Sequence, residues 1–112
     1  MVSGPTYLEL GVPDPDLARA FYGRLFGWRF SGDAGGGEAG TPSLAVGLHG
    51  GDDAAHFEVF FAVTELEAAL DQVRALGGSV LGEVHDSGAF GRWAECRDDQ
   101  GVRFGLRELP PE

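Results

Sequence analysis

Polar and aromatic side chains alternate with aliphatic ones in two short segments of the sequence. Tyr7 and Glu9 take every second position of one segment, and Glu58 and Phe60 do so in the other. Because successive side chains of a β-strand point to opposite faces, each pair shares one face of a predicted strand. Aromatic rings on such a face stack on planar ligands, and carboxylates attract cationic or hydrogen-bond-donating groups. The two segments therefore predict a surface that binds a small molecule.

Two further candidates lie in the last quarter of the chain. Trp93 alternates with Ala94 and Cys96 in one predicted strand, and Arg103 shares a face with Gly105 in the next. Cys96 is the only cysteine, and its position on the apolar side predicts that it belongs to the core. The full predicted ligand-binding set is Tyr7, Glu9, Glu58, Phe60, Trp93 and Arg103. Alternatively, Glu9 or Glu58 pairs with Arg103, and the groove is only a dimer surface.

The segments that carry these candidates belong to a pattern that occurs twice. A shift of 51 residues superimposes four identical residues, so that Val12, Ala18, Leu25 and Gly27 fall on Val63, Ala69, Leu76 and Gly78. In both halves a strand precedes a helix start, an amphipathic helix, a glycine stop and further strands. The sequence predicts one α+β domain of two β-α-β-β-β modules, at residues 5–48 and 56–108, with a linker at 49–55.

The first helix has clear start and stop signals. Asp14 is a favoured N-cap residue, Pro15 fits the first helical turn, and Gly27 favours a helix end. The face expected to pack on the sheet consists of Leu17, Ala18, Phe21 and Leu25. A second strand is expected to begin at residues 28–30. The glycine-rich segment 32–42 then abbreviates the module, as a flexible loop over the site or as a weak edge strand.

The second helix repeats these signals. Thr64 and Glu67 have the spacing of a capping box, and the Gly77–Gly78 pair favours a helix end. Its packing face is expected to consist of Leu66, Ala69, Leu70, Val73 and Leu76. The strands that follow are expected at about residues 79–83, 91–97 and 102–107, with a tight turn at 98–101.

Composition limits the classes of partner. The chain has 112 residues, 43 % of them hydrophobic, and 18 acidic against 8 basic residues give a net charge of −10. This charge disfavours nucleic acid and anionic membranes as partners; it attracts cationic ligands, or it only keeps the protein soluble. One cysteine excludes an internal disulfide framework. With no visible signal peptide or membrane span, a cytoplasmic location is the expectation.

Two β-α-β-β-β modules in about 110 residues resemble the vicinal oxygen chelate superfamily, which includes glyoxalase I, extradiol dioxygenases and bleomycin-resistance proteins. Residues 12–28 resemble its first helix, residues 66–78 its second, and residues 92–106 its final hairpin. The resemblance implies a curved mixed sheet around a cavity. It also implies a homodimer with shared grooves, with the modules paired within one chain or swapped between chains.

The resemblance also implies positions for a divalent metal ion, which the family's enzymes hold with histidine and glutamate side chains. The matching positions are Tyr7, Gly47, Glu58 and Gly105, and of these only Glu58 is a usual ligand. One carboxylate does not hold a catalytic metal, because such sites use about three protein ligands. We therefore expect no metal and no other cofactor, and we expect the two glycines to leave space for a larger ligand.

The three histidines do not change this expectation. His49 is predicted at the start of the linker, His56 on the face of Glu58, and His85 in a loop, and no two have close metal-ligand spacing. The pattern favours a metal-free protein that sequesters a planar aromatic ligand, either neutral or cationic, as the antibiotic-binding and bleomycin-resistance branch does. The alternative is a metal-dependent lyase, isomerase or dioxygenase like glyoxalase I.

Overall fold

A computed structural model describes residues 4–32 and 36–110 of the chain. The elements in these residues are β1 (Pro5–Gly11), α1 (Pro15–Phe26), β2 (Gly36–Ala39), β3 (Ala45–His49), β4 (His56–Ala62), α2 (Leu66–Ala75), β5 (Ser79–Asp86), a 3₁₀ turn (Gly88–Phe90), β6 (Arg92–Arg97) and β7 (Arg103–Glu108). They form two compact units, which we call the first unit (residues 6–58) and the second unit (from Val59 onward).

The first unit is a mixed sheet with one helix. β1 runs parallel to β3, with Glu9 opposite Gly47, and β2 pairs antiparallel with the other edge of β3. One face of the sheet packs against α1, as the alternation of β1 predicts, because Leu10 is buried and Leu8 packs against the same cluster. The core of this unit consists of Leu10, Val12, Ala18, Val46 and Leu48.

The ends of α1 confirm their sequence signals. The Asp14 carboxylate accepts hydrogen bonds from the backbone N–H groups of Asp16 and Leu17, at 3.0 and 3.3 Å, and Pro15 occupies the first turn. Gly27 ends the helix with φ 75°, in the left-handed region that glycine enters at no steric cost.

The predicted packing face of α1 is wrong. Only Ala18 is buried, whereas Leu17, Phe21 and Leu25 are 69 %, 61 % and 59 % exposed. Apolar residues occur on nearly every side of this helix, so a second stripe, which contains Ala18 and Tyr22, can face the sheet instead.

The strand expected at residues 28–30 is also absent from the described residues. Trp28 and Phe30 instead pack against the core of the first unit, and Trp28 stacks on Tyr22 with 5.4 Å between ring centroids. The strand of this region lies further on, at β2, within the glycine-rich segment. The edge-strand alternative is therefore confirmed for residues 36–39, whereas residues 33–35 of that segment lie outside the described residues.

The second unit has the predicted order of one strand, one helix and three strands. β4 runs parallel to β7, with Phe60 opposite Gly105, and β7, β6 and β5 follow as antiparallel neighbours. Its core consists of Leu66, Leu70, Ala94, Cys96 and Leu106. Cys96 is a fully buried free thiol, which confirms its predicted place. Among the described residues, the first unit has one strand fewer after its helix than the second unit has.

The capping box predicted for α2 is wrong. The N-cap residue is Glu65, and the Leu66 N–H donates to the Glu108 carboxylate of β7 at 3.3 Å. Glu67 forms a salt bridge with Arg92, which also lies 2.9 Å from Glu108. A guanidinium binds a carboxylate more strongly than a backbone amide does, so the long-range pair replaces the local box.

The C-terminal end of α2 and the turn between β6 and β7 agree more closely with the sequence predictions. Gly77, with φ 93°, terminates the helix as predicted, although Leu76 is exposed rather than packed. Asp98 shapes the turn between β6 and β7 by accepting hydrogen bonds from the backbone N–H groups of Val102 and Gln100, which lower the pKa of its carboxyl group.

Neither helix in the described residues is long and apolar enough to cross a membrane.

Candidate functional site

His49, at the end of β3, places its imidazole ring between two carboxylates of the first unit. Its Nδ1 lies 2.5 Å from Glu9 Oε2, and its Nε2 lies 3.0 Å from Asp52 Oδ2. His56 Nδ1 lies 3.6 Å from the same Asp52 oxygen. We call Glu9, His49, Asp52 and His56 the histidine–carboxylate cluster. Gly11 is required beside it, because a Cβ at that position would lie 2.8 Å from His49 Nε2.

The cluster favours the charged form of His49. Partial burial on its own lowers the pKa of the imidazole, but the hydrogen bonds and negative charges of Glu9 and Asp52 outweigh this effect, so the pKa is raised. The imidazolium neutralises part of the negative charge of Glu9 and ties β1 to the segment after β3. Sequence reasoning missed this pairing, although Gly11 and His49 are register partners on parallel strands and Glu9 is two residues from Gly11.

Tyr7 and Glu9 come together over Gly47. A Cβ at position 47 would overlap the Tyr7 hydroxyl and Glu9 Oε1, so these two groups fill the space that a side chain would take. The expectation that Gly47 leaves room for a larger ligand is therefore wrong. Tyr7 and Glu58 are also buried, at 7 % and 3 % exposed, so neither presents an open surface.

The same arrangement recurs in the second unit. The Phe60 ring covers Gly105, its register partner on β7, and a Cβ at position 105 would overlap the ring. The expected free space at Gly105 is wrong for the same reason. In both units a larger side chain on one strand folds over a glycine on its parallel neighbour, since glycine leaves a gap in the face of a sheet.

Trp93 lies at the centre of a group of rings on one face of the second unit. Its indole stacks on His85 with 4.3 Å between centroids, and the edges of Phe60 and Phe90 approach it at 5.8 and 6.4 Å. We call these four rings the aromatic face. The Trp93 indole N–H donates to Ser87 Oγ at 2.9 Å, which holds the ring in place. His85 was predicted in a loop, but it belongs to β5, opposite Trp93.

Two arginines of β7 lie beside the aromatic face. Arg103 donates to Glu95 at 2.5 Å, within its own unit. The Arg107 guanidinium lies over the Phe90 ring, 3.9 Å from its centroid, and donates to the Phe90 carbonyl oxygen from Nε and Nη2. Sequence reasoning missed Arg107 and Phe90. Alternation along β7 places Arg107 on the face of Gly105, whereas Phe90 lies in a 3₁₀ turn with no strand periodicity.

The metal positions implied by the resemblance do not fit an ion. Two of them are glycines whose side-chain space is occupied by Tyr7, Glu9 and Phe60. Within residues 4–32 and 36–110, no three histidine, cysteine, aspartate or glutamate side chains are grouped so that they could hold a metal ion. The histidine–carboxylate cluster does not provide such a group, because the two carboxylates contact opposite nitrogens of the His49 ring.

An open cavity of about 500 Å³ lies elsewhere in the second unit, near the start of α2. Arg92 and Glu108 lie in its wall and form the ion pair described above, and Asp86 lies nearby. In the described part of the chain, its lining includes none of the six predicted ligand-binding residues. Arg92 and Glu108 are already paired with each other, and Asp86 Oδ1 accepts the Gly88 N–H, so the aromatic face remains the better candidate for a ligand.

Comparison with known proteins gives one family over most of the chain. Residues 7–107 match the family described as a glyoxalase-like domain. The sequence is 29 % identical over 116 residues to the Mycobacterium bovis protein named "Putative glyoxylase CFP32", and it is 29 % identical over 125 residues to the anthracycline biosynthesis protein DauV of a Streptomyces species. Each match covers 91 % of this chain, which spans 44 % and 46 % of the length of these relatives.

Solved structures share the fold. The crystal structure of methylmalonyl-CoA epimerase from Mycobacterium tuberculosis matches with a TM-score of 0.71 at 20 % sequence identity. The match covers 96 % of this chain and 89 % of the epimerase chain.

Proposed function

Because the chain belongs to the glyoxalase-like domain family, we propose that it binds a planar aromatic small molecule on the aromatic face and that it does so without a metal ion. The observation that carries the proposal is the half-buried Trp93 indole, which is fixed by Ser87 and stacked on His85. A ring held in this way contributes stacking area at little cost in conformational entropy. The relative named as an anthracycline biosynthesis protein supports a polycyclic aromatic ligand, because anthracyclines are polycyclic aromatic compounds.

The charges near the aromatic face favour a neutral ligand over a cationic one. Glu9 and Glu58 were the predicted attraction for a cation, but Glu9 is paired with His49 and Glu58 is buried. The aromatic face instead carries Arg107, whose guanidinium lies on Phe90. A cation placed there would approach this positive charge, whereas a neutral ring system that carries carbonyl oxygens would not be repelled.

Tryptophan fluorescence tests the proposal. The chain has two tryptophans, Trp28 in the first unit and Trp93 on the aromatic face, so Trp28→Phe leaves Trp93 as the sole reporter. We expect anthraquinone to quench this variant in a saturable way, and acridinium, a cationic planar probe, to bind at least tenfold more weakly. Calorimetry of Trp93→Ala should then show at least a tenfold loss of anthraquinone affinity, with Trp28→Phe as the matched control. Equal affinity in both variants, or no saturable quenching, would overturn the proposal.

A metal-dependent enzyme is the competing function, since one relative is named a glyoxylase and one structural neighbour is an epimerase. It would need ligands at positions where this chain has glycines covered by neighbouring side chains. The proposal of metal-free binding therefore rests on the side chains that fill these positions.

A further inference from the structure

Three side chains at the aromatic face lie in one row across the strands of the second unit. His85 on β5 is the register partner of Trp93 on β6, and Trp93 is the register partner of Arg107 on β7. Register partners point to the same face of a sheet, with their Cβ atoms roughly 4.5–5.5 Å apart. The Arg107 side chain therefore begins beside the indole, on the opposite side of Trp93 from His85.

Contacts with Phe90 hold the Arg107 guanidinium in one orientation. Its Nε and Nη2 atoms donate to the Phe90 carbonyl oxygen at 3.1 and 2.8 Å, and its Cζ lies 3.9 Å from the centre of the Phe90 ring. The turn that carries Phe90 is fixed as well, because the Ser87 carbonyl accepts the Phe90 N–H and Ser87 Oγ accepts the Trp93 indole N–H. A donor fixed in this way needs little ordering when it binds a ligand.

A guanidinium beside a stacking ring selects for hydrogen-bond acceptors. It carries five N–H donors in one plane and no acceptor, so it can bind the Phe90 carbonyl and an oxygen of a ligand together. Hydrogen bonds from a charged donor are shorter and stronger than those between neutral groups. Because Trp93 and Arg107 are strand neighbours, a ring system stacked on the indole reaches the guanidinium with its edge. An oxygen acceptor on that edge would be bound, whereas an ammonium group would be repelled.

The other arginine at this face suits the role less well. Arg103 lies four residues before Arg107 on β7, which places it roughly 13 Å further along the strand. It donates to the Glu95 carboxylate at 2.5 Å. A neutral ligand oxygen at Arg103 would therefore compete with a carboxylate, which a guanidinium binds more strongly.

We propose that Arg107 binds a carbonyl oxygen on the edge of the planar ligand, which makes planar aromatic ketones and quinones the ligand class of the aromatic face. This recognition rests on the proposed function, because the ligand must stack on Trp93 to reach Arg107. The rings supply the buried area, and the guanidinium supplies the orientation and the preference for a carbonyl group. An aromatic hydrocarbon of the same shape should bind as well, but more weakly.

Fluorene and 9-fluorenone test this preference, since these planar tricyclic molecules differ only in having a CH₂ group or a carbonyl group at the ring edge. We expect equilibrium dialysis to show that wild type binds 9-fluorenone about tenfold more tightly, as a hydrogen bond from a charged donor allows. Arg107→Met, which keeps an apolar side chain beside Phe90, should bind both molecules with nearly equal affinity. Arg97→Met is the matched control, because Arg97 is exposed on the same face of β6 as Trp93, and it should keep the preference.

The pair of ligands separates recognition of the oxygen from a structural role of Arg107. A structural role would lower the affinities for fluorene and 9-fluorenone by the same factor, whereas oxygen recognition lowers only the affinity for 9-fluorenone. Equal affinities in wild type, or a preference that Arg107→Met retains, would overturn the proposal. If Trp93→Ala then lost both ligands, the proposed function would still stand. If wild type bound neither molecule, the proposed function would fail and the role of Arg107 with it.

Infrared spectroscopy of the wild-type complex tests the hydrogen bond without any substitution. The carbonyl stretch of bound 9-fluorenone should lie below its frequency in water, because a guanidinium is a stronger donor than a water molecule. A frequency at or above the value in water would overturn the proposal, even if Arg107→Met did not fold. Circular dichroism checks that each variant is folded.

Discussion

Gly105 and Phe60 form one fitted pair, and each limits what the other position can hold. Replacing Gly105 with alanine would place a Cβ inside the space of the Phe60 ring. We expect Gly105→Ala to lower the free energy of unfolding by about 1–3 kcal/mol, which is typical of overpacking a core. Urea denaturation measures this change.

Two further variants make that result specific. Gly40→Ala is the matched control, because nothing lies within 4 Å of a Cβ at that position, and it should change stability little. Adding Phe60→Leu to Gly105→Ala should recover part of the loss, because the smaller side chain makes room for the new methyl group. Purely additive effects of the two substitutions would mean that the ring does not restrict position 105.

His49 makes the stability of the first unit depend on pH. Its pKa is raised in the folded protein above the ordinary value of 6.5, so the folded state binds a proton more tightly than the unfolded chain does. The resulting stabilisation is complete below about pH 6.5, the pKa of the unfolded chain, and is lost as pH rises through the folded pKa. The ring is partly exposed, so solvent screening limits the contribution to roughly 1 kcal/mol or less.

His49→Gln should therefore be less stable than wild type at pH 6, and the difference should disappear at high pH. Thermal unfolding from pH 5.5 to pH 9.5 measures the difference. Glu9→Gln should reduce the pH dependence without removing it, because Asp52 remains in contact with the ring. Parallel stability curves for wild type and His49→Gln would contradict the role assigned to the imidazolium.

At the scale of elements, the start of α2 depends on a residue of β7. Glu108 accepts the Leu66 N–H, whereas Thr64, the predicted cap, does not form the box with Glu67. We expect Glu108→Ala to destabilise the protein by about 1 kcal/mol, as the loss of a helix cap does, and Thr64→Ala to have almost no effect. Urea denaturation of the two variants decides between the caps, and a larger loss for Thr64→Ala would restore the capping box.

Local signals account for the elements that sequence reasoning predicted correctly. Asp14, Gly27 and the turn at Asp98 act through contacts within a few residues, so their effects can be read directly from the chain. The errors have long-range causes. Arg92, 25 residues further along the chain, pairs with the Glu67 carboxylate that was expected to complete the box. The apolar residues around α1 leave its packing side undetermined until a sheet is present.

For the candidate site, too, the sequence predicted which residues lie on which strand but not the contacts between strands. The sequence assigned Tyr7 and Glu9 to the first module and Glu58 to the second, whereas Glu58 belongs to the first unit of the structure. Strand alternation placed Cys96 in the core, where it lies. It could not show that side chains fold over Gly47 and Gly105, because that packing occurs between strands. It also gave no partner to His49, since the Glu9 carboxylate arrives from a strand 40 residues earlier.

At the scale of the whole molecule, we expect the folded protein to hold no structural or catalytic metal. Incubation with Zn²⁺, Ni²⁺ or Fe²⁺ followed by gel filtration should leave much less than one ion per chain by elemental analysis. EDTA should not change the melting temperature, because no folding energy depends on an ion. One tightly held ion per chain would instead favour the metal-dependent enzyme. His49→Ala would show whether such an ion uses the histidine–carboxylate cluster.

The Glu108 cap also sets an order of events during folding. The Leu66 N–H and its carboxylate acceptor are separated by 42 residues, so the acceptor leaves the ribosome long after the helix it caps. We therefore expect the first turn of α2 to lack this cap during synthesis until the last strand joins the sheet. Contacts between such distant residues slow folding, because the intervening loop must close first. Completion of the second unit is therefore coupled to the arrival of its final strand.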